Sequence, residues 1–339
     1  MIYIIDNSNN DEYSHYNVYR NTLLSINGTY NSFLLRKAIK NKVYRQIKDY
    51  FDFVNKIKSI PKESIIHFLY GDCYYAFSWL YFFSKKRKII VTMHSCPEGR
   101  LRRVLLKIFC KKISLIIVHS EYTKNQYQSL GIENIECVDY PSFYDYSNIE
   151  SKKQIRERYK VPENKIIISA LGGTRYDKGL DILLESFQYI DKDVKERILL
   201  NIAGREEFFK EKFIKEKQEK HKISCMLNLK GLSDKEFMEN VLMSDFLVFP
   251  YRKIMTGNSG PMTEAIVNSI VCIVSDYGNI GNIAKAKQVG VLFKSESSKD
   301  LAEIITKEII LPTKLDFSYK EELSITTFIE RHRLIYNKF

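Results

Sequence analysis

Arg175 and Lys178 stand three positions apart inside Gly172-Gly173-Thr174-Arg175-Tyr176-Asp177-Lys178-Gly179. A planar guanidinium beside an ammonium can clamp the oxygens of a diphosphate, the first with bidentate donors and the second as a point charge. Glycines such as Gly173 let a ligand approach the backbone closely. Basic residues in loops are equally often plain solvated charges, and the spacing alone fits either role.

A second cluster reads Pro250-Tyr251-Arg252-Lys253-Ile254-Met255-Thr256-Gly257-Asn258-Ser259-Gly260-Pro261-Met262-Thr263-Glu264-Ala265. Pro261 suits the first turn of a helix, so a helix is expected to start there. The free amides around Asn258, Ser259 and Gly260, aided by the helix dipole, then form an anion site for which phosphate is the natural ligand. Glu264 falls about one turn in, where its carboxylate can accept both hydroxyls of a ribose on the bound diphosphate. Its alternative is a favourable charge near a helix start. His94 closes a strand, where it can serve a ligand or cap the sheet edge. No cysteine or histidine group has metal-ligand spacing, and Gly172-Gly173-Thr174-Arg175 lacks the G-x-G-x-x-G of dinucleotide-binding dehydrogenases.

The elements that must position these residues are short β-branched or aromatic runs separated by helix-like segments, the pattern of a largely parallel sheet covered on both faces. Strands are expected at Ile2–Ile5, Ser64–Leu69, Lys88–Met93, Leu115–His119 and Ile135–Val138. A second series follows at Lys165–Leu171, Ile198–Ala203, Met226–Leu229, Phe246–Phe249, Ile270–Ser275 and Val291–Phe293. The charge-rich stretch Asp145–Pro162 between the series reads as a linker. The expected division is an α/β domain over 1–155, a second over 156–318, and a terminal helix over 319–339, with Phe328, Leu334 and Ile335 at helical spacing, that braces the first. Both clusters sit in strand-to-helix loops, where open α/β sheets bind ligands.

The 339 residues suffice for two domains, and 45% hydrophobic with 28% charged residues marks a folded globular chain. A formal net charge of +12 fits a phosphate-bearing partner: a phosphorylated substrate, anionic lipid or nucleic acid. No nucleic-acid motif accompanies the charge, and the aromatics are spread as core residues would be, which argues against nucleic acid. Residues 100–112 read as a basic amphipathic helix, either a solvated face or one that lies on anionic lipid. Six scattered cysteines suggest reduced thiols. The first strand begins where a secretory signal would stand, and the run Cys73–Phe83 is short for a transmembrane helix. A cytoplasmic protein is expected, with possible contact at the inner face of the cell membrane.

Arg-x-x-Lys-Gly-x-Asp-x-Leu-Leu-x-x-Phe, present as Arg175–Phe187, resembles the donor-phosphate motif of family 4 retaining glycosyltransferases with the GT-B fold. Pro250-Tyr251-Arg252, Ser259-Gly260, Glu264-Ala265 and Ser275-Asp276-Tyr277-Gly278 are similar to the motifs that follow in one branch of that group 1 type family. The likeness is close over residues 160–310. Over 1–150 it is loose, carried by Thr92-Met93-His94, His119-Ser120-Glu121 and Tyr140-Pro141. It implies two Rossmann-like α/β domains facing each other across a cleft, the first binding the acceptor and the second the nucleotide sugar.

By that resemblance the enzyme is a glycosyltransferase of the hexosyltransferase type. It would move a sugar from a UDP- or GDP-sugar to a glycan or lipid-linked saccharide, with retention, in surface polysaccharide or glycoconjugate synthesis. Arg175 and Lys178 would neutralise the leaving diphosphate, backbone amides around Asn258, Ser259 and Gly260 would hold it, Glu264 would bind the ribose, Gly173 and Gly204 would bind the donor, and His94 would reach the donor sugar or phosphate. His119 is expected to be architectural, and the base is expected near Gly204-Arg205-Glu206 and Lys230-Gly231-Leu232. The resemblance implies neither cofactor nor metal. The chain departs from the family at Thr256, where many members carry a sugar-contacting Glu, and at Asp6-Asn7-Ser8-Asn9-Asn10, which replaces a Gly-Gly. An epimerase using the same clamp is the alternative within this architecture, and acceptor dependence separates the two.

Overall fold

The structure, a computed structural model, describes residues 1–6, 15–26, 28–32, 51, 55, 57–73 and 87–339. The polar loop 7–10 and residues 74–83 of the apolar run lie outside them. Among the described residues no helix is long and apolar enough to cross a membrane.

The apolar runs become strands because both faces of a parallel sheet must be covered. In the first sheet these are β1 (Ile2–Asp6), β2 (Gly28–Ser32), β3 (Ile65–Phe68), β4 (Lys88–Met93), β5 (Leu115–Val118) and β6 (Ile135–Cys137), in the order β2-β1-β3-β4-β5-β6. All described pairs are parallel, with Ile2 opposite Gly28 on one side and Ile65 on the other. The second sheet contains β7 (Ile166–Leu171), β8 (Ile198–Ala203), β9 (Cys225–Asn228), β10 (Phe246–Phe249), β11 (Val271–Ser275) and β12 (Gly290–Phe293). Its order is β12-β11-β10-β7-β8-β9, again parallel throughout. Each expected strand has its counterpart within a residue or so at either end. Strand β2 had no sequence signal, since Gly28-Thr29-Tyr30-Asn31-Ser32 holds no apolar run, which an edge position tolerates.

The chain separates into two compact units, one of residues 1–143 and 325–339, the other of 144–324. Residues 144–158 join the second unit through side chains. Ile155 is buried with Ile167 and Met243, and Asp245 receives Lys152 at 2.8 Å, Arg156 at 2.5 Å and the Ile167 amide at 2.8 Å. A capping box, Ser151 with Gln154, starts the helix Lys152–Arg158 inside the stretch read as linker. In the first unit the terminal helix Ile325–Asn337 buries Phe328, Ile335 and Tyr336 with Ile4, Tyr19 and Leu23. Leu334, which the sequence grouped with them, points outward at 65% exposure. It is adjacent to Ile335, about 100° around the helix on the side away from the buried His332 and Tyr336, and so falls outside the buried face.

Candidate functional site

In the second sheet the chain enters at β7, lays down β8 and β9 on one side, then returns to place β10 on the other. The loops after β7 and β10 therefore leave a topological switch point, where open α/β sheets bind their ligands. These are the loops that carry the two clusters.

The first loop is built on close backbone contact. Gly204, at the end of β8, has φ +142°, and a β-carbon there would strike the Gly172 carbonyl. The Gly172 amide in turn donates to the Ala203 carbonyl at 2.8 Å. Thr174 is buried, its amide donating to Arg205 O at 2.9 Å and its hydroxyl to Phe209 O at 2.8 Å. Gly173 lies under the Glu207 carboxylate. A 3-10 turn Tyr176–Lys178 follows, and Gly179 at φ +63° opens the helix Leu180–Ser186. Any side chain at Gly179 would collide with the Pro250 carbonyl, so a glycine is required twice over.

The two cations take different positions. The Arg175 guanidinium makes a bidentate pair with Asp177, Nε to Oδ1 at 2.9 Å and Nη2 to Oδ2 at 2.7 Å, with the arginine side chain 45% exposed. That pair holds the Asp177 carboxyl below its usual range and raises Arg175 further. Lys178 folds back over the strand end, its Nζ 3.4 Å from Leu171 O and 5.5 Å from the centre of the Tyr251 ring.

Tyr251 joins this loop to the next. It is buried, and its hydroxyl shares a 3.0 Å hydrogen bond with the hydroxyl of Ser259, the N-cap of the helix Gly260–Val267. Further staples come from Arg252: its amide donates to Asp177 O at 2.9 Å, its Nε to Tyr176 O at 3.1 Å, and its guanidinium pairs with Asp181 while lying 4.2 Å over the Tyr176 ring. Met255 places its sulfur 3.9 Å from Arg175 Nη2. Lys178 and Arg175 thus both touch the loop that leads to the second helix. The Ser259 side chain makes no cap hydrogen bond to that helix, whose Pro261 stands in the first turn. Asn258 accepts a hydrogen bond from the buried Asn279, whose Oδ1 has no hydrogen-bond partner among the described residues. Glu264 is buried at 3% exposure and accepts from the Tyr146 hydroxyl at 3.2 Å. Burial and the neighbouring Glu264 carboxylate push the Tyr146 phenol well up.

His94 belongs to the first unit, on the loop after β4. Its amide donates to Asp72 Oδ2 at 2.8 Å, its Nε2 donates to Leu69 O at 2.9 Å, and its ring stacks on Tyr70 at 4.9 Å. A carbonyl only accepts, so Nε2 carries the proton and Nδ1 is left as an acceptor. Beside it His119 is fully enclosed, donating from Nδ1 to Val138 O at 2.8 Å, with Nε2 3.4 Å from the Tyr19 hydroxyl. His67 bridges Tyr336 at 2.7 Å and Thr92 at 2.8 Å, and His332 donates to Phe328 O at 2.9 Å. Burial holds His67 and His119 well below the ordinary imidazole value and His332 at about 4.

Within the second unit, then, Gly173, Arg175, Lys178 and Gly204 lie at the ends of β7 and β8 and Asn258, Ser259, Gly260 and Glu264 after β10, the two groups being linked through Tyr251, which lies by the Lys178 ammonium and hydrogen-bonds Ser259. The sequence had given no role to Asp177, Tyr146 or Asn279, and had marked Asp181 only as the Asp of the Arg175–Phe187 motif. Asp177 lies inside the motif and was legible as a partner for Arg175, whereas Tyr146 gave no signal, being 118 residues from Glu264. No three of the described His, Cys, Asp and Glu side chains are gathered as a metal site.

Two parallel-sheet α/β units with their ligand loops at the strand ends define the GT-B class, whose members use nucleotide sugars. The solved structures this chain resembles share that architecture. The sucrose-phosphate synthase of Thermosynechococcus elongatus aligns at TM-score 0.74 and 13% identity, over 99% of this chain and 98% of that one. Anabaena HepE, in complex with UDP-glucose, aligns at 0.73 and 13% over 100% and 99%. WaaG, a glycosyltransferase involved in lipopolysaccharide biosynthesis, aligns at 0.68 and 12% over 99% of both chains. No curated protein sequence matches the chain. The family model described as "Glycosyl transferases group 1" matches residues 151–321, just over half of the chain, and the protein belongs to that family. It is a nucleotide-sugar glycosyltransferase.

Proposed function

We propose that the protein transfers a sugar from a UDP- or GDP-sugar to a glycan or lipid-linked saccharide, with retention at the anomeric carbon, in the assembly of a surface polysaccharide or glycoconjugate. The observation that carries the donor half is the stapling of the Arg175–Lys178 loop to the Ser259–Gly260 helix start, with Glu264 one turn further on. A diphosphate seated there meets two cations and the free amides of one helix, and its ribose meets a carboxylate.

In the reaction Arg175 exchanges Asp177 for a phosphate oxygen while Lys178 meets the other phosphate. The electron pair of the breaking glycosidic bond is left on the departing diphosphate, where these charges stabilise it. The acceptor hydroxyl attacks on the same face and passes its proton to the leaving oxygen. His94 serves the donor, its Nδ1 accepting from a sugar hydroxyl, or donating to a phosphate oxygen when the ring carries a second proton. Uridine is supported by the likeness to HepE, solved in complex with UDP-glucose, and a surface glycan by the likeness to WaaG, a glycosyltransferase involved in lipopolysaccharide biosynthesis.

The test is a panel of UDP-, GDP- and ADP-sugars, with nucleotide release and thermal protection as readouts. One sugar nucleotide should raise the melting temperature and be turned over faster with saccharide acceptor. Unchanged turnover in the Arg175→Ala, Lys178→Ala double variant would remove the clamp from the mechanism, and turnover independent of acceptor would favour epimerisation.

A further inference from the structure

The helix Arg100–Cys110 of the first unit carries more apolar residues than the fold uses. Leu106, Phe109 and Cys110 turn inward and are buried. On a different side Leu101, Val104 and Ile108 are exposed at 73%, 48% and 38%. Their spacing of three and four residues sets them in one stripe along the helix. Arg100, Arg103, Lys107 and Lys111 flank that stripe on the side between it and Cys110, as the 100° step per residue requires. All four are exposed and none has a carboxylate partner among the described residues. A soluble helix buries its one apolar stripe and surrounds it with mixed charge. This one leaves a second stripe in water beside a row of unpaired cations, with Glu98 the one carboxylate among the described residues that line the same depression.

The geometry points to this face as a docking surface for an anionic lipid bilayer. Leu101, Val104 and Ile108 would enter the interface between headgroups and acyl chains, and the arginines and lysines would lie against the phosphates. A soluble polyanion such as single-stranded nucleic acid would use the cations but gain nothing from three aliphatic side chains. It would instead need exposed aromatics to stack on, and the only aromatic of this helix, Phe109, is buried. The surface lies wholly in the first unit and is independent of the donor assignment.

The full chain is sedimented with vesicles of phosphatidylcholine alone and of phosphatidylcholine mixed with phosphatidylglycerol, at rising salt. Binding should require the anionic lipid and weaken with salt. The Arg100→Gln, Lys107→Gln, Lys111→Gln variant should lose about a hundredfold in vesicle partitioning, at roughly fivefold per cation near an anionic surface. Leu101→Ser, Val104→Ser should lose binding even at low salt, while its melting temperature and donor protection match those of the parent. Equal binding to phosphatidylcholine alone overturns the proposal, as do wild-type partitioning of both variants and capture of a single-stranded oligonucleotide in place of vesicles.

Discussion

Replacing Tyr146 by Phe takes one hydroxyl from beneath the candidate ribose site and leaves the ring that packs there. That hydroxyl donates to Glu264 Oε2 at 3.2 Å, beyond the usual span for an O–H···O bond, so the low end of the worth of a hydrogen bond to a carboxylate applies, about 1.5 kcal/mol. If Tyr146 fixes the carboxylate for the ribose, this loss is felt in donor binding, and the donor KM should rise about tenfold with kcat within twofold. The assay compares a UDP-sugar with its 2′-deoxy analogue, in wild type and in Tyr146→Phe. Wild type should discriminate strongly, because a site built to pair a hydroxyl penalises its absence. The variant should discriminate less, since its Glu264 is no longer held in place for the ribose. Undiminished discrimination, with the change confined to melting temperature, would refute the positioning role and leave Tyr146 a structural contact.

Gly179→Ala must force an alanine into φ +63° and against the Pro250 carbonyl, and should destabilise the second unit by about 2 kcal/mol or more, read as a fall in melting temperature. Asp177→Asn releases Arg175 from a half-exposed pair worth no more than about 1 kcal/mol, so calorimetry should find donor binding up to about fivefold tighter. Weaker binding would mean that Asp177 orients the guanidinium for the ligand instead of competing for it. The buried histidines make the first unit acid-sensitive: His332, held at about 4 against 6.5 in the unfolded chain, is neutral in the fold while the unfolded chain takes up the proton. Its contribution is full above pH 6.5 and is lost as pH falls toward 4, about 3 kcal/mol in all, so melting temperature should drop across that window and drop less in His332→Phe.

Much of this was legible before any coordinates, because the relevant signals are local. Ile198–Ala203 and Phe246–Phe249 stand as strands just where their apolar runs lie, and Pro261 marks a helix start within one residue. The clamp motif was readable for the same reason, its glycines and cations being contiguous. What escaped depends on partners distant in the chain. Arg252 was read as part of a Pro-Tyr-Arg motif, and only the fold shows it committed to Asp181 and Tyr176, more than 70 residues earlier. Tyr146, inside a stretch read as linker, reaches Glu264 only because the helix Lys152–Arg158 docks on the second unit. Strand β2 escaped for the opposite reason, as an edge strand of polar residues carries no pattern at all.

The Arg252 staple also decides when entropy is lost. A phosphate site assembled from two separate loops would ordinarily have to order both of them at the moment of binding, at the expense of affinity. Here the Arg252 amide and guanidinium, together with the Tyr251–Ser259 bond, tie the loops into one piece as the second unit folds. On the function proposed above, the donor would then meet loops already joined, with Arg175 turning away from Asp177 and Lys178 from the Leu171 carbonyl. Nucleotide association with this unit should accordingly run as one fast phase, with no slow loop-ordering step behind it.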